Sequence, residues 1–492
     1  MYLGGDDKLK EKIYKPEIIA VILATVILTT VLMIKPIIGV ADNGDFYRVM
    51  IPVGLEYLTD DYSEKYFNYI HSKYRVRNVG VWGGGDYITT HIIPVKLAIF
   101  LNNLVLFHSG IFDIRFLSVI YSVILLFSLF LITKYTQSRY KPVNWLIMAL
   151  SVLVFLDVGY ISYFNSLYGE AASYVFLLLT VAITIYILKC ERPKISVLIA
   201  FFIAAIFFVG AKQQNSPLVV LFAAFGIRFL WLRKDWLWKN TVIICTIVLI
   251  LASGLVYSVI SQEIRNINIH QAVFFGILKD SKTPEEDLQE LGLDPKLSVL
   301  AGKTYYDENV PIKPKSEELK KEFFDKISYT KIVAFYLKHP IRFIQKMEVT
   351  ANNAFTIRQG YLGNYEKSEQ LEPGKQTNLF SLWSYIKQTR IPHHLWFVVL
   401  FYIVFYSVWF VEYKKTGTIK ERVFLELYAL IGISGLIQFV LPMLADGEGD
   451  LSKHLFLFSV CFDIMFVTAV VWAVKTALER KQRLKDLYGV TQ

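Results

Sequence analysis

Stretches of about 20 apolar residues recur along this chain, each long enough to cross a hydrocarbon core of roughly 30 Å as a helix. The first covers residues 18–40. Inside a bilayer each backbone polar group has to be satisfied within its own segment, which leaves helices as the spanning form for such runs. With 54% of its 492 residues hydrophobic, the chain is too apolar for a soluble globular domain. The expected class is an all-α polytopic membrane protein. Cys190, Cys245 and Cys461 are scattered and form neither a disulfide framework nor a metal motif. The net charge of +10 fits basic cytoplasmic loops. No basic-aromatic module points to nucleic acid.

Charge asymmetry threads the chain. Lys8, Lys10, Lys12 and Lys15 place the N-terminal segment in the cytoplasm. Residues 1–16 are too charged, and the next run too long, for a cleaved signal peptide. Span 18–40 then delivers a polar loop, 41–87, to the outside. The stretch 88–107 contains His91, Pro94, Lys96, Asn102 and Asn103 and reads as an interfacial amphipathic helix, because later loops then obey the charge rule. Further spans are 114–133, 145–161, 171–188, 195–209, 218–232, 242–261, 395–411, 423–444 and 455–474. The result is about ten transmembrane helices with both termini cytoplasmic.

Three domains follow. Residues 1–261 form an N-terminal bundle that includes the 41–87 loop and the 88–107 helix. Residues 262–393 form an extracytoplasmic, mainly helical domain. Residues 394–492 hold the last spans and a basic tail. Within the outer domain, Thr283-Pro284-Glu285-Glu286 reads as a capping box with proline at the first helical position. Gly292 would stop that helix. Ser316 would cap a longer helix running to about Lys338, and another would run from Pro340 to about Ile357.

Four polar clusters fall on the outer face: 42–48, 163–170, 212–215 and 446–454. Any one of them could be an ordinary solvated turn; four flush with a membrane boundary point to a site. Asp42 and Asp45 stand three apart across Asn43-Gly44. On a helical turn they would share a face, where they could act as a catalytic base or hold a divalent cation such as Mg or Mn. Asp60, Asp61 and Asp86 lie farther from the helix exit. Arg48, Lys212 and Lys453 are cations suited to a phosphate leaving group. Asn165, Tyr168, Glu170, Gln213 and Asn215 are candidates for sugar hydroxyls or phosphate. Asp446, Glu448 and Asp450 precede Lys453-His454, a cationic pair unusual for an outer loop. Asp157 and Asp463, inside apolar runs, fit a structural or a catalytic role equally. His71 and His91 read as structural or surface residues, and Gly83-Gly84-Gly85 as a hinge without phosphate-loop context.

The combination of an acid in the first outer loop, a many-helix bundle and an outer domain resembles the GT-C class of glycosyltransferases. Ala41-Asp42-Asn43-Gly44-Asp45-Phe46, Tyr163-Phe164-Asn165-Ser166 to Gly169-Glu170, and Gly447-Glu448-Gly449-Asp450-Leu451-Ser452-Lys453-His454 are similar to bacterial WsfD-type glycan-biosynthesis hexose transferases. Val273-Phe274-Phe275-Gly276-Ile277-Leu278 and Glu290-Leu291-Gly292-Leu293 add to the likeness. The resemblance implies a hexosyltransferase of the bacterial plasma membrane. It implies a polyprenyl-phosphate hexose as donor, a surface glycan as acceptor, and Asp42 or Asp45 as the catalytic acid of the first outer loop. A polymerase or ligase of lipid-linked glycans would share this chemistry. A flippase or transporter would instead place ionisable residues at mid-membrane and show repeat symmetry, and no internal repeat is visible.

Overall fold

The computed structural model describes residues 15–488 apart from 81, 82, 86, 108 and 109. Asp86, Lys8, Lys10 and Lys12 therefore lie outside the described residues. The apolar runs form helices α1 (Pro16–Leu32), α2 (Ile92–Val105), α3 (Arg115–Tyr135), α4 (Lys141–Phe155), α5 (Gly169–Lys189), α6 (Ile195–Gly210), α7 (Trp236–Ser258), α8 (Leu395–Lys415), α9 (Ile419–Asp446) and α10 (Phe456–Tyr488). Among the described residues, six of these are long and apolar enough to cross a membrane: α3, α5, α7, α8, α9 and α10. A seventh span is possible if α4 and the segment Val158–Asn165, bent by 49° at their junction, count as one. The ten expected spans thus shrink by this length test. At 1.5 Å per residue, α1 with 17 residues and α6 with 16 are shorter than a roughly 30 Å core. The 218–232 run breaks into Val219–Ile227 and a short 3-10 turn. Helix α2, with 14 residues, is likewise too short to span. It buries Ile92, Val95 and Ala98 and leaves Ile93, Leu97, Phe100 and Leu104 exposed.

Helix α5 is the centre of the bundle. It is buried along nearly its whole length and packs against α3 and α6, while α1 packs on α3 and α9 on α10. Its apolar character on every side is what a central helix requires. At one end of the bundle lie the exit of α1, the start of α5 and the end of α9. At the other end Gln137 donates to Glu17 at 2.7 Å and Lys420 donates to the Cys190 carbonyl at 2.5 Å.

The all-α expectation misses a small sheet. Strands β1 (Leu55–Glu56), β2 (Lys73–Val76) and β3 (Ile111–Asp113) pair antiparallel in the order β1-β2-β3. β2 pairs Tyr74 with Phe112, and both side chains are buried. The sheet ties the 41–87 loop to the start of α3.

The 262–393 segment feeds two cores. Residues from Ala272 to Tyr336 enclose their own apolar cluster, whereas Met347, Phe355, Leu362 and Trp383 join the core of the bundle. The Thr283 side chain makes no capping bond, although Pro284 does open the helix Pro284–Glu290. Gly292 adopts φ +71° and ends it. Ser316 caps as expected, accepting from Leu319 N at 3.1 Å. The helix it starts does not reach Lys338: it passes into a π-turn, Lys320–Phe324, and stops before a new helix, Tyr329–Lys338.

Candidate functional site

Beyond α1 the chain runs extended past Gly39 into the acidic loop. Asp42 pairs with Tyr66 in an isolated parallel bridge, and its carbonyl accepts from Phe67 N at 2.7 Å. Gly44 takes φ +101°, a conformation cheap only for glycine. This folds the backbone over the Asp42 carboxylate, whose Oδ1 accepts from Gly44 N at 2.8 Å and Phe46 N at 3.0 Å. The helical turn on which Asp42 and Asp45 would share a face is therefore absent. The next helix, Tyr47–Val53, starts only after both, and the two carboxylates serve different partners.

Asp42 is 1% exposed, and its Oδ2 accepts from the Tyr57 hydroxyl at 2.6 Å. Burial raises its pKa to about 6, against the lowering effect of those hydrogen bonds. Asp45 is partly open to solvent and lies between two cations. Arg48 Nη2 stands 3.2 Å from its Oδ1, and Lys453 Nζ bonds its Oδ2. Burial pushes the Asp45 carboxyl up, but Lys453 and then Arg48 outweigh it and hold the group well below the usual carboxylate range.

Lys453 is the hub. It is 2% exposed and sits in a four-residue helix, Leu451–His454, entered through Asp450 in the left-handed region at φ +45°. Its Nζ donates to Asp45 and to Asn43 Oδ1 at 3.1 Å, lies 3.6 Å from Asp450 Oδ2, and sits 4.4 Å from the Tyr168 ring centroid. Burial alone would lower its proton affinity; Asp45, Asp450 and Glu170 together raise it, so the ammonium stays charged. Asp450 also accepts from Asn43 Nδ2 at 2.8 Å and from the Tyr361 hydroxyl. The Tyr168 hydroxyl accepts from Asn43 N at 2.8 Å and lies 3.0 Å from the Ala41 carbonyl.

The rim continues from this hub. Glu170, at the start of α5, accepts from Lys212 Nζ at 2.6 Å. Asp446 lies 3.2 Å from His454 Nε2 and accepts from Gln271 Nε2 at 3.0 Å. His454 Nδ1 faces Gln214 Oε1 at 3.2 Å. Close backbone approach locks the loop. A Cβ on Gly447 would stand 2.5 Å from the Gln271 carbonyl oxygen, and one on Gly169 would stand 2.8 Å from that of Ala211.

Asp42, Asp45, Arg48, Tyr168, Glu170, Lys212, Asp446, Asp450, Lys453 and His454 thus converge. Others do not join them. Asn165 donates to the carbonyls of Leu32 and Ile38 at 3.0 and 2.8 Å, with the Ser118 hydroxyl on its Oδ1, and so pins the exit of α1. Asn215 ties α6 to α5 through Ser173 Oγ at 2.8 Å and the Phe208 carbonyl at 3.1 Å. Glu448 turns to Lys279 and to Lys346. The Gln213 amide nitrogen is buried without a partner. Asp157 accepts from Gly159 N and Ser384 N, each at 2.8 Å. Asp463 accepts from Lys387 at 2.9 Å, Trp383 at 2.8 Å and Tyr160 at 2.5 Å. Both are held by the fold. His91 bridges the Leu167 carbonyl at 3.0 Å and the Tyr121 hydroxyl at 2.7 Å. The proposed glycine hinge is anchored by Gly83 N donating to Pro52 O at 3.0 Å. Tyr57, Asn43, Tyr361 and Gln271 carry site contacts that the sequence did not mark. Asn43, inside the acidic motif, had the best signal.

No group of three or more His, Cys, Asp or Glu side chains among the described residues is arranged to hold a metal ion. The Asp42 and Asp45 oxygens are taken by protein donors, with an ammonium between the acidic loops, so the arrangement does not fit a Mg or Mn ion at this pair.

Residues 6–489 match the family described as the YfdI N-terminal transmembrane domain. The uncharacterized protein YfdI of Escherichia coli (strain K12) is 25% identical over 383 residues, which cover 76% of this chain and 79% of that protein. Among solved structures, the archaeal oligosaccharyltransferase AglB from Archaeoglobus fulgidus, in complex with an inhibitory peptide and a dolichol-phosphate, aligns with a TM-score of 0.39 and 11% identity. That alignment covers 97% of this chain and 52% of AglB, so the chain spans about half the length of that protein. The chain belongs to the YfdI N-terminal transmembrane domain family and is a multi-pass membrane protein.

Proposed function

We propose that this member of the YfdI transmembrane family is a GT-C-like glycosyltransferase that moves a hexose from a polyprenyl-phosphate donor to a surface glycan. In this reading the converging loops form the active site on the outer face of the bacterial plasma membrane, and the termini are cytoplasmic. Span count, the outer domain at 262–393 and the likeness to WsfD-type hexose transferases belong to the same proposal. One observation carries it: a buried, charged lysine gathers carboxylates from loops more than 400 residues apart, at a bundle end where part of the cluster stays open to solvent.

The chemistry follows from the groups present. Attack of an acceptor hydroxyl on the anomeric carbon breaks the bond from that carbon to the phosphate oxygen. Polyprenyl phosphate departs as an anion. Arg48, Lys453 and Lys212 supply positive charge where that anion forms. The acceptor proton needs a base. Asp42, with a proton affinity near neutrality, suits that task better than Asp45. Asp42 is sealed from solvent, and half-buried Tyr57 donates to it. The acceptor proton therefore passes to the Tyr57 oxygen as the Tyr57 proton passes to Asp42. Asp45 stays ionised and fixes the two cations.

Transfer from a panel of polyprenyl-phosphate hexoses, in membranes carrying the wild type, Asp42→Asn, Asp45→Asn or Tyr57→Phe in equal amounts, tests this. The expected result is transfer that vanishes in Asp42→Asn and falls strongly in the other two. Full transfer by Asp42→Asn would overturn the assignment of the base. No transfer by the wild type from any donor would overturn the transferase reading.

A further inference from the structure

A polar cleft of about 370 Å³ opens beside the first loop. Its size is at the low end for small-ligand sites. Charged groups from four separate segments line it: Lys35, Glu64, Lys73, Arg115, Glu366 and Lys367. Both carboxylates are already engaged. Glu64 pairs with Lys367, and Glu366 accepts from the Ser72 hydroxyl at 2.5 Å. Arg115 is held in a fork by Asp113, with Nε 2.9 Å from Oδ1, yet its side chain keeps 38% exposure. Among the described residues no carboxylate pairs with Lys35 or Lys73. Four cations thus face three carboxylates, with Asp113 on Arg115, Glu64 on Lys367 and Glu366 on the Ser72 hydroxyl, and Lys35 and Lys73 are the two cations without a carboxylate partner.

We propose that this cleft binds a phosphate-bearing headgroup. Position favours an anion at the membrane boundary. Lys35 follows the end of α1 by three residues and Arg115 is the first residue of α3, so both stand where apolar helices emerge. There, long basic side chains reach phosphates at the interface. Monophosphate chemistry also suits the donor set: a guanidinium held by Asp113 gives direction, and two exposed ammonium groups give charge. The cleft is linked to the candidate site without being part of it. The His71 ring in its wall packs 4.7 Å from the Tyr57 ring, and the Tyr57 hydroxyl holds Asp42. The inference rests on the cleft itself and not on the transferase reading.

The test uses the full chain in nanodiscs of phosphatidylglycerol or phosphatidylcholine, with lipids retained after release counted by native mass spectrometry. A parallel titration uses glycerol 3-phosphate with the protein in phosphatidylcholine nanodiscs. Variants are Lys35→Gln/Lys73→Gln and the charge-preserving Lys35→Arg/Lys73→Arg. The expected result is selective retention of phosphatidylglycerol, weakened about 30-fold by the glutamine pair, as loss of two interfacial cations implies, and restored by the arginine pair. Glycerol 3-phosphate binding with the same variant dependence, without lipid retention, would assign the cleft to a soluble phosphate ester. Equal retention and equal titration by wild type and the glutamine pair would overturn the proposal.

Discussion

Replacing Asp42 by Asn separates a folding effect from a chemical one. The amide keeps an acceptor for Gly44 N and Phe46 N and turns a donor toward the Tyr57 hydroxyl, so the local bonds survive. What changes is the charge. Asp42 binds its proton more tightly in the folded chain than in the unfolded one. Its contribution to stability is therefore complete below the unfolded pKa of 3.8 and is lost as pH rises to about 6. That interval is worth about 3 kcal/mol, at 1.36 kcal/mol per tenfold change in proton affinity. Asn carries no such penalty. Relative to wild type, Asp42→Asn should gain about 2.5 kcal/mol on going from about pH 4 to about pH 8. The assay is the difference in melting temperature between the two proteins in one detergent across that range. An offset that is flat, or that moves against the variant as pH rises, would refute the reasoning from burial. Transfer activity measured on the same preparations should disappear while the protein is, if anything, more stable.

Lys453→Met should cost about 3 kcal/mol or more, because it leaves Asp45 and Asp450 facing each other without their cation; thermal unfolding of the variant beside Asp45→Asn/Lys453→Met should show part of that loss recovered. Lys387→Met should destabilise by about 3–5 kcal/mol by stranding Asp463 in the core, and Lys387→Met/Asp463→Leu should regain most of it, read as folded yield in size-exclusion profiles. Gly447→Ala should cost about 1–3 kcal/mol, since its φ of +61° and the Gln271 carbonyl 2.5 Å from the new Cβ both oppose a side chain; the checks are the melting temperature and hydrogen exchange of the 446–450 loop.

The spans were legible because lipid demands one continuous signal from each of them, and α3, α5, α7, α8, α9 and α10 appear where the apolar runs lie. The sheet was not. β1 has two residues and β3 three, too few for an alternation to register, and β2 finds β3 only across the intervening α2. In the 262–393 segment, local signals worked where a single residue decides, as with Gly292 and Ser316. They failed where packing decides, as in the break after Phe324. The site divides the same way. Its charged motifs were visible, but the partnership of Asp45 with Lys453 joins residues 408 apart, and nothing local encodes it. Tyr57 was one of 30 tyrosines, and only the turn built on Gly44 and the bridge to Tyr66 reveal why its hydroxyl meets Asp42.

The two buried lysines argue from contrast. Lys387 and Asp463 are both fully buried, and Tyr160, Trp383 and the Ser459 carbonyl at 3.4 Å complete their hydrogen bonds. That network is closed, and an apolar pair of similar volume could replace it at little cost. Lys453 is just as deep, but its partners are not. The Asp45 side chain keeps 30% of its exposure and that of Asp450 keeps 24%, and Arg48 Nε has no partner at all. Burying an ammonium is expensive, and pairing it with carboxylates that stay about a quarter exposed recovers less of that cost than a sealed pair would. The arrangement is a poor way to stabilise a bundle. In the proposed reading it instead holds a fixed positive charge and an ionised carboxylate where a leaving phosphate would form.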